Sequence, residues 1–171
     1  KPVGVVGAII PSTNPIATHL NKALNALKCR NAVIIAPSPK GLVVCKKVTE
    51  LMQKALQRVG APINLVQSLS GPINMNDTKE LCRLVDLIIA TGWQNNIKIA
   101  LESGTPTYGV GTGNVPSIID ESANLSEASN KIMISKTFDH STSCSSENSI
   151  IILDKIYAKM IKSLEGEGGS L

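Results

Sequence analysis

The chain has 171 residues, 43% of them hydrophobic, enough for one ordinary domain and part of another around a buried core. Its formal net charge is +4, but the basic residues are scattered and only four aromatics are present, Trp93, Tyr108, Phe138 and Tyr157, which argues against a nucleic-acid binder. No apolar run approaches the roughly 20 residues that cross a bilayer, and Lys1-Pro2-Val3-Gly4 lacks the regions of a secretory signal.

The first residue is not methionine, so Lys1 is expected not to be a native start. Four cysteines, Cys29, Cys45, Cys82 and Cys144, show no C-x-x-C spacing, so no metal site is expected. Free thiols in a reducing cytoplasm are the simplest reading of them.

In chain order, Val3 to Ile10 is a nearly continuous apolar run, as a strand covered on both faces should be. Pro11-Ser12-Thr13-Asn14-Pro15 then turns into a helix, with Asn14 suited to the N-cap and Pro15 to the first helical position. Ile16, Leu20, Ala23, Leu24 and Leu27 form the expected apolar stripe of that helix. Asn31 to Ala36 reads as a second strand, broken at Pro37-Ser38-Pro39. A longer helix carries Val44, Val48, Leu51, Met52, Ala55, Leu56 and Val59 along one stripe and stops at Gly60-Ala61-Pro62. Ile63 to Val66 is expected as a third strand. Asp77 to Val85 follows as a short helix capped by Asn76 or Asp77. Asp86 to Thr91 is a fourth strand, Gly92 leads into a helix ending near Ser103, and Thr107 to Val110 is a fifth strand.

This alternation predicts an α/β fold with a Rossmann-like, mainly parallel open sheet and flanking helices. In such sheets ligands bind beyond the carboxyl ends of the strands. Those ends fall at Pro11 to Asn14, Ala36 to Pro39 and Thr91 to Gln94, all polar or rich in proline and glycine. Further on, Val115 to Asp120 and Ile150 to Leu153 read as strands and Leu125 to Ser135 as a helix. A last helix carries Ile156, Tyr157, Met160, Ile161 and Leu164, and Glu165 to Leu171 is expected to fray. The expected division is a nucleotide-binding domain over 1–112 and the first part of a second α/β domain over 113–171.

Ser143-Cys144-Ser145-Ser146-Glu147-Asn148 places one thiol in a polar, hydroxyl-rich turn just before the apolar run at Ser149. Reactive cysteines sit in polar, partly exposed sites, whereas structural ones are buried and inert. On these residues alone, Cys144 is either a nucleophile or an ordinary cysteine. Gly109-Val110-Gly111-Thr112-Gly113-Asn114 fits neither the dinucleotide fingerprint nor the lysine-bearing P-loop. Its glycines serve unusual backbone angles and close approach.

Four segments in register resemble the aldehyde dehydrogenase superfamily, and specifically its CoA-acylating branch. They are Gly7-Ala8-Ile9-Ile10-Pro11-Ser12-Thr13-Asn14-Pro15, then Ala90-Thr91-Gly92, then Gly109 to Pro116, and finally Lys136-Thr137-Phe138-Asp139 running into Ser143 to Asn148. The resemblance implies that Cys144 attacks an aldehyde carbonyl as nucleophile. It implies that the Asn14 amide stabilises the oxyanion, the alternative role of Asn14 being helix capping. It also implies that Pro11, Ser12, Thr13, Pro37, Ser38, Thr91, Gly92, Trp93 and Gly111 contact NAD or NADP, with coenzyme A as co-substrate.

Three departures qualify the match. Ala36 stands where hydrolytic members carry a lysine, which leaves NAD against NADP open. Trp93 stands where related acylating enzymes tend to have glycine, and simple packing is its alternative role. Val110 stands where hydrolytic members place a glutamate base. Without that base a thioester on Cys144 is expected to survive until a thiol such as CoA removes it. Glu147 is read as a helix or turn contact and His140 as an exposed histidine.

Members of the superfamily are considerably longer, so the chain resembles a nucleotide-binding core plus the first part of a catalytic domain, in which cofactor binding but not full turnover is expected in isolation. The implied partners are a small-molecule aldehyde and, in the full-length protein, further copies in a homo-oligomer, with no nucleic acid and no membrane. The alternative reading is a non-catalytic nucleotide-binding or assembly module derived from such an enzyme.

Overall fold

The computed structural model describes residues 2–170. Lys1, expected not to be a native start, and Leu171, the last residue of the expected frayed end, lie outside them. The chain divides into two compact units, 1–112 and 113–171.

The first unit is a five-stranded parallel sheet built from β1 (Val5–Ile10), β2 (Ala32–Pro37), β3 (Val66–Ser68), β4 (Leu87–Thr91) and β5 (Thr107–Val110), in the order β3-β2-β1-β4-β5. Helices α1 (Pro15–Lys28) and α2 (Leu42–Arg58) cover one face, and α3 (Met75–Leu84) and α4 (Gln94–Glu102) cover the other. Alternate residues of β1 explain this layering. Val6, Ala8 and Ile10 pack with Ala23, Ala26, Cys45, Val48 and Met52, while Ile9 packs with Leu81, Cys82, Ile97 and Ala100. This is the Rossmann-like α/β fold that the strand–helix alternation predicts. β1 leads to a helix on one face and its neighbour β4 to a helix on the other, so the strand order reverses at their shared seam.

Several local expectations are corrected. The apolar stripe read for α1 is only partly its buried face: Ala23 is buried and Leu27 packs on the core, but Ile16, Leu20 and Leu24 are exposed, and the helix also buries His19, Lys22 and Ala26. Small Ala23 and Ala26 let the helix lie close to the sheet, and this outweighs the larger apolar residues. Likewise α2 buries Cys45, Val48, Thr49 and Met52 while Val44, Leu51, Ala55 and Val59 stay exposed. The third strand begins three residues later than expected, because Ile63–Leu65 forms a 3-10 turn after Pro62 and only then does Val66 pair with Val33. Helix α3 starts two residues earlier than expected. Its cap is Asn74, whose side chain accepts from the Asn76 and Asp77 N–H groups while Asp77 accepts from the Asn74 N–H.

The second unit pairs β6 (Val115–Ile119) with β7 (Glu147–Ile152) in parallel and packs α5 (Leu125–Thr137) on α6 (Tyr157–Gly166). Buried Ser129 joins the two helices through its hydroxyl, 2.8 Å from that of Ser163. Strand β7 begins at Glu147, so Glu147 and Asn148 are strand residues and the polar turn ends at Ser146. The expected fraying from Glu165 is not seen either: the Gly169 N–H returns to the Leu164 carbonyl at 2.9 Å and closes the end of α6. No helix among the described residues is long and apolar enough to cross a membrane.

Candidate active site

In the first unit, the segments after β1, β2, β4 and β5 leave from the carboxyl edge of one sheet. The path of Pro11-Ser12-Thr13-Asn14 follows from a strand that must end and a helix that must begin at Pro15. Asn14 occupies the N-cap position, yet its side chain makes no capping hydrogen bond and is exposed. Of the two roles weighed for its amide, capping is the one this geometry does not use.

Gly92, at φ 142°, lies against the same turn, and a β-carbon there would stand 3.7 Å from Pro11 Cβ. Its N–H donates to the Val110 carbonyl at 3.2 Å, tying the β4 exit to the end of β5. Gly111 has no room for a β-carbon because the Gln94 side chain fills that space. Trp93 is 79% exposed among the described residues. Ser12 and Thr13 are also exposed.

Pro37 and Ser38 take a different position. With Ile9, Ile10 and Ala36 they line a cavity of about 150 Å³, closed from the other side by Asn74, Met75, Thr78 and Asn96. Ser38 is held there by its N–H to the Ile10 carbonyl at 3.1 Å and by its Oγ, which accepts from the Gly41 N–H at 3.2 Å. Apolar walls with a few convergent polar groups are the kind of lining that small-molecule sites use. The residues present therefore fit a nucleotide at the strand ends. Pro11 lies against Gly92, Pro37 and Ser38 share the cavity, and Gln94 fills the space a Gly111 β-carbon would take. Asn74, Thr78 and Asn96 are cavity residues that the sequence reading missed. The capping box at Asn74 was the signal that would have placed the first of them.

In the second unit, α5 ends in a 3-10 turn at Phe138–Ser141, where Asp139, His140 and Ser141 all adopt left-handed backbone at φ 48°, 52° and 60°. Non-glycine residues hold such angles at some cost. The chain then forms the turn that carries Cys144. The Ser143 and Ser145 hydroxyls are 2.7 Å apart, and the Ser146 N–H donates to the Ser143 carbonyl at 3.2 Å. The Asn148 amide donates to the Gly113 carbonyl at 3.1 Å, anchoring the turn to the start of β6. Cys144 and His140 are both exposed.

Exposure separates the four thiols into two classes. Cys45 and Cys82 are buried, and burial pushes both thiols up from their ordinary value, as befits inert packing. Cys29 and Cys144 are exposed. Val110, at the expected place of the missing base, is 64% exposed at the end of β5.

The sequence profile of the aldehyde dehydrogenase family matches residues 1–168. The chain belongs to that family. Among aldehyde dehydrogenases it is 52% identical over 171 residues to an acylating sulfoacetaldehyde dehydrogenase of Cupriavidus necator, covering all of this chain and 35% of that one. Among solved structures it resembles an acetylating aldehyde dehydrogenase from Geobacillus thermoglucosidasius, with 43% identity and a TM-score of 0.87 over 98% of this chain and 37% of the other. It also resembles a propionaldehyde dehydrogenase of Rhodopseudomonas palustris with bound propionyl-CoA, with 32% identity and a TM-score of 0.88, covering 97% of this chain and 37% of that one. This aldehyde dehydrogenase chain thus spans about a third of the length of the relatives it matches.

Proposed function

We propose that the chain carries the nucleotide-binding domain, over 1–112, and the nucleophile-bearing start of the catalytic domain, over 113–171, of a cytoplasmic CoA-acylating aldehyde dehydrogenase. The reaction is aldehyde plus CoA plus NAD or NADP to acyl-CoA. The observation that carries the reading is the exposed Cys144 in a hydrogen-bonded polar turn, set against the buried Cys45 and Cys82. The similarity to acylating relatives supports it.

In this reading the Cys144 thiolate attacks the aldehyde carbonyl to form a thiohemiacetal. The Asn14 amide, free of any capping bond, and the Cys144 N–H are the donors assigned to the resulting oxyanion. The nicotinamide nucleotide, when bound, accepts the hydride that leaves a thioester on sulfur. Pro11, Ser12, Thr13, Pro37, Ser38, Thr91, Gly92, Trp93 and Gly111 are the residues assigned to hold it. Val110 presents no carboxylate to activate water, so the thioester waits for the CoA thiol, which takes the acyl group and returns Cys144 to its resting form. The full-length protein is proposed to form a homo-oligomer.

The test, on the full-length protein, follows reduced nicotinamide when a short aldehyde, NAD or NADP, and CoA are supplied, with Cys144→Ala as control. CoA-dependent turnover that vanishes in the variant supports the reading. Turnover that persists in Cys144→Ala removes it.

One observation favours a second reading, an assembly module. The outward stripes of α1 and α2 leave an apolar groove of about 560 Å³ lined by Ile16, Leu20, Leu24, Leu51 and Val59 among others. Tight self-association with no nucleotide binding would favour this alternative.

A further inference from the structure

His19 and Lys22 of α1 are buried titratable groups that the acyl-transfer chemistry leaves unused. Lys22 is 5% exposed. Its Nζ donates to the Ile9 carbonyl of β1 at 2.7 Å and to the Ile89 carbonyl of β4 at 3.0 Å. No carboxylate pairs with it in the ion pairs among the described residues. A buried ammonium without a counter-charge is costly, and burial pulls this one down to about 7. Such a group is not kept for stability, because an apolar side chain of similar volume would pack there at lower cost.

The location supplies a reason. Ile9 is one residue from the end of β1 and Ile89 two residues from the end of β4. These strands are neighbours at the seam where the order reverses, and their connections leave toward opposite faces of the sheet. The Pro11–Asn14 turn and the Thr91–Trp93 segment start from these two ends. Beyond the ladder, the Gly92 N–H ties the β4 exit to β5 and the Ser38 N–H ties the β1 exit to β2, but among the described residues no backbone hydrogen bond joins these two exits to each other.

We propose that Lys22 is a positioning residue for the nicotinamide nucleotide: by bridging the Ile9 and Ile89 carbonyls it fixes the two strand exits whose loops grip the cofactor. The inference rests on the proposed nucleotide-binding reading of the first unit. It assigns to Lys22 a cost in stability exchanged for a preorganised rim.

The experiment uses the chain as it stands, wild type and Lys22→Met, with NADH as the probe, measuring affinity by calorimetry and melting temperature without ligand. The expected result is NADH binding at least about tenfold weaker in Lys22→Met, the scale of losing charge-assisted hydrogen bonds, with a melting temperature equal to or above wild type. Equal NADH affinity in both proteins overturns the inference and leaves the nucleotide reading intact. Absence of NADH binding to the wild type removes that reading and the inference with it. A lower melting temperature alongside lost binding marks Lys22 as an ordinary structural residue and also overturns the proposal. If Lys22→Met does not fold, Lys22→Leu, which likewise removes both donors, carries the same comparison.

Discussion

The Cys144 carbonyl oxygen stands 3.3 Å from where a β-carbon on Gly113 would lie. The turn holding the thiol is therefore packed directly on the residue that opens the second unit, and the Asn148 amide bond to the Gly113 carbonyl fastens the same contact from the other side. Gly113→Ala forces the Cys144 backbone to give by a few tenths of an ångström. Such crowding should cost about 1 kcal/mol of stability. A displaced nucleophile loses rate out of proportion to that cost, so alkylation and acyl transfer at Cys144 should slow more than the melting temperature falls. Iodoacetamide kinetics with a parallel melt check this, and an unchanged alkylation rate would count against the packing argument.

The thiols should divide by burial. In the folded chain, Cys144 and Cys29 react with a thiol reagent at neutral pH, whereas Cys45 and Cys82, buried and with thiols pushed up, react only after unfolding. Peptide mapping of labelled chain before and after denaturation reads this directly. Labelling of Cys45 in the native state would show that α2 is not packed as described.

Asn14 and Asn74 sit at equivalent helix positions and should behave oppositely. Asn74 caps α3 through two N–H groups, so Asn74→Ala should lower stability by about 1 kcal/mol. Asn14 makes no capping bond, so Asn14→Ala should leave the melting temperature unchanged. If its amide serves the oxyanion, the same change should slow acyl transfer by about a hundredfold, or roughly 3 kcal/mol of barrier. Loss of stability in Asn14→Ala with unchanged chemistry would assign it to capping after all.

Two buried bases set the pH dependence of stability. Burial lowers His19 from 6.5 to about 4, and both of its ring nitrogens lack partners among the described residues. The unfolded chain therefore binds the extra proton between these values, and stability is lost as pH falls from 6.5 toward 4. Lys22 is lowered from 10.5 to about 7, so by the same sign stability should rise as pH rises above 7. Above 9 the raised thiols of Cys45 and Cys82 act in the opposite direction. Melts from pH 4 to 9, with Lys22→Met losing the rise between 7 and 9, check the assignment. A wild-type melting temperature that falls steadily from pH 7 to 9 contradicts it.

Much of this was legible in the chain because local signals and tertiary packing agree. Val6 to Ile10, Ala32 to Ala36 and Leu87 to Thr91 are apolar on both faces, and the structure buries them in a parallel sheet. Where the two levels disagree, the sequence misleads. Ile16, Leu20 and Leu24 repeat at helical spacing, yet the sheet takes the narrower face of α1, and with it His19 and Lys22. A lysine beside the apolar stripe of an amphipathic helix reads as a solvated side chain, and only the two carbonyls that Lys22 reaches mark it as different. The cavity at Pro37 and Ser38 was half legible for a related reason. Its strand-end wall follows from topology, but its far wall depends on how α3 and α4 lie on the sheet.

The central claim is that the Cys144 sulfur accepts and releases the acyl group. Its most direct test is peptide mass mapping of the chain after incubation with an acyl-CoA, which runs the last step backwards. An acyl adduct is expected on Cys144, lost in Cys144→Ser and discharged by free CoA. An adduct confined to Cys29, or one on Cys144 that CoA does not discharge, would contradict it.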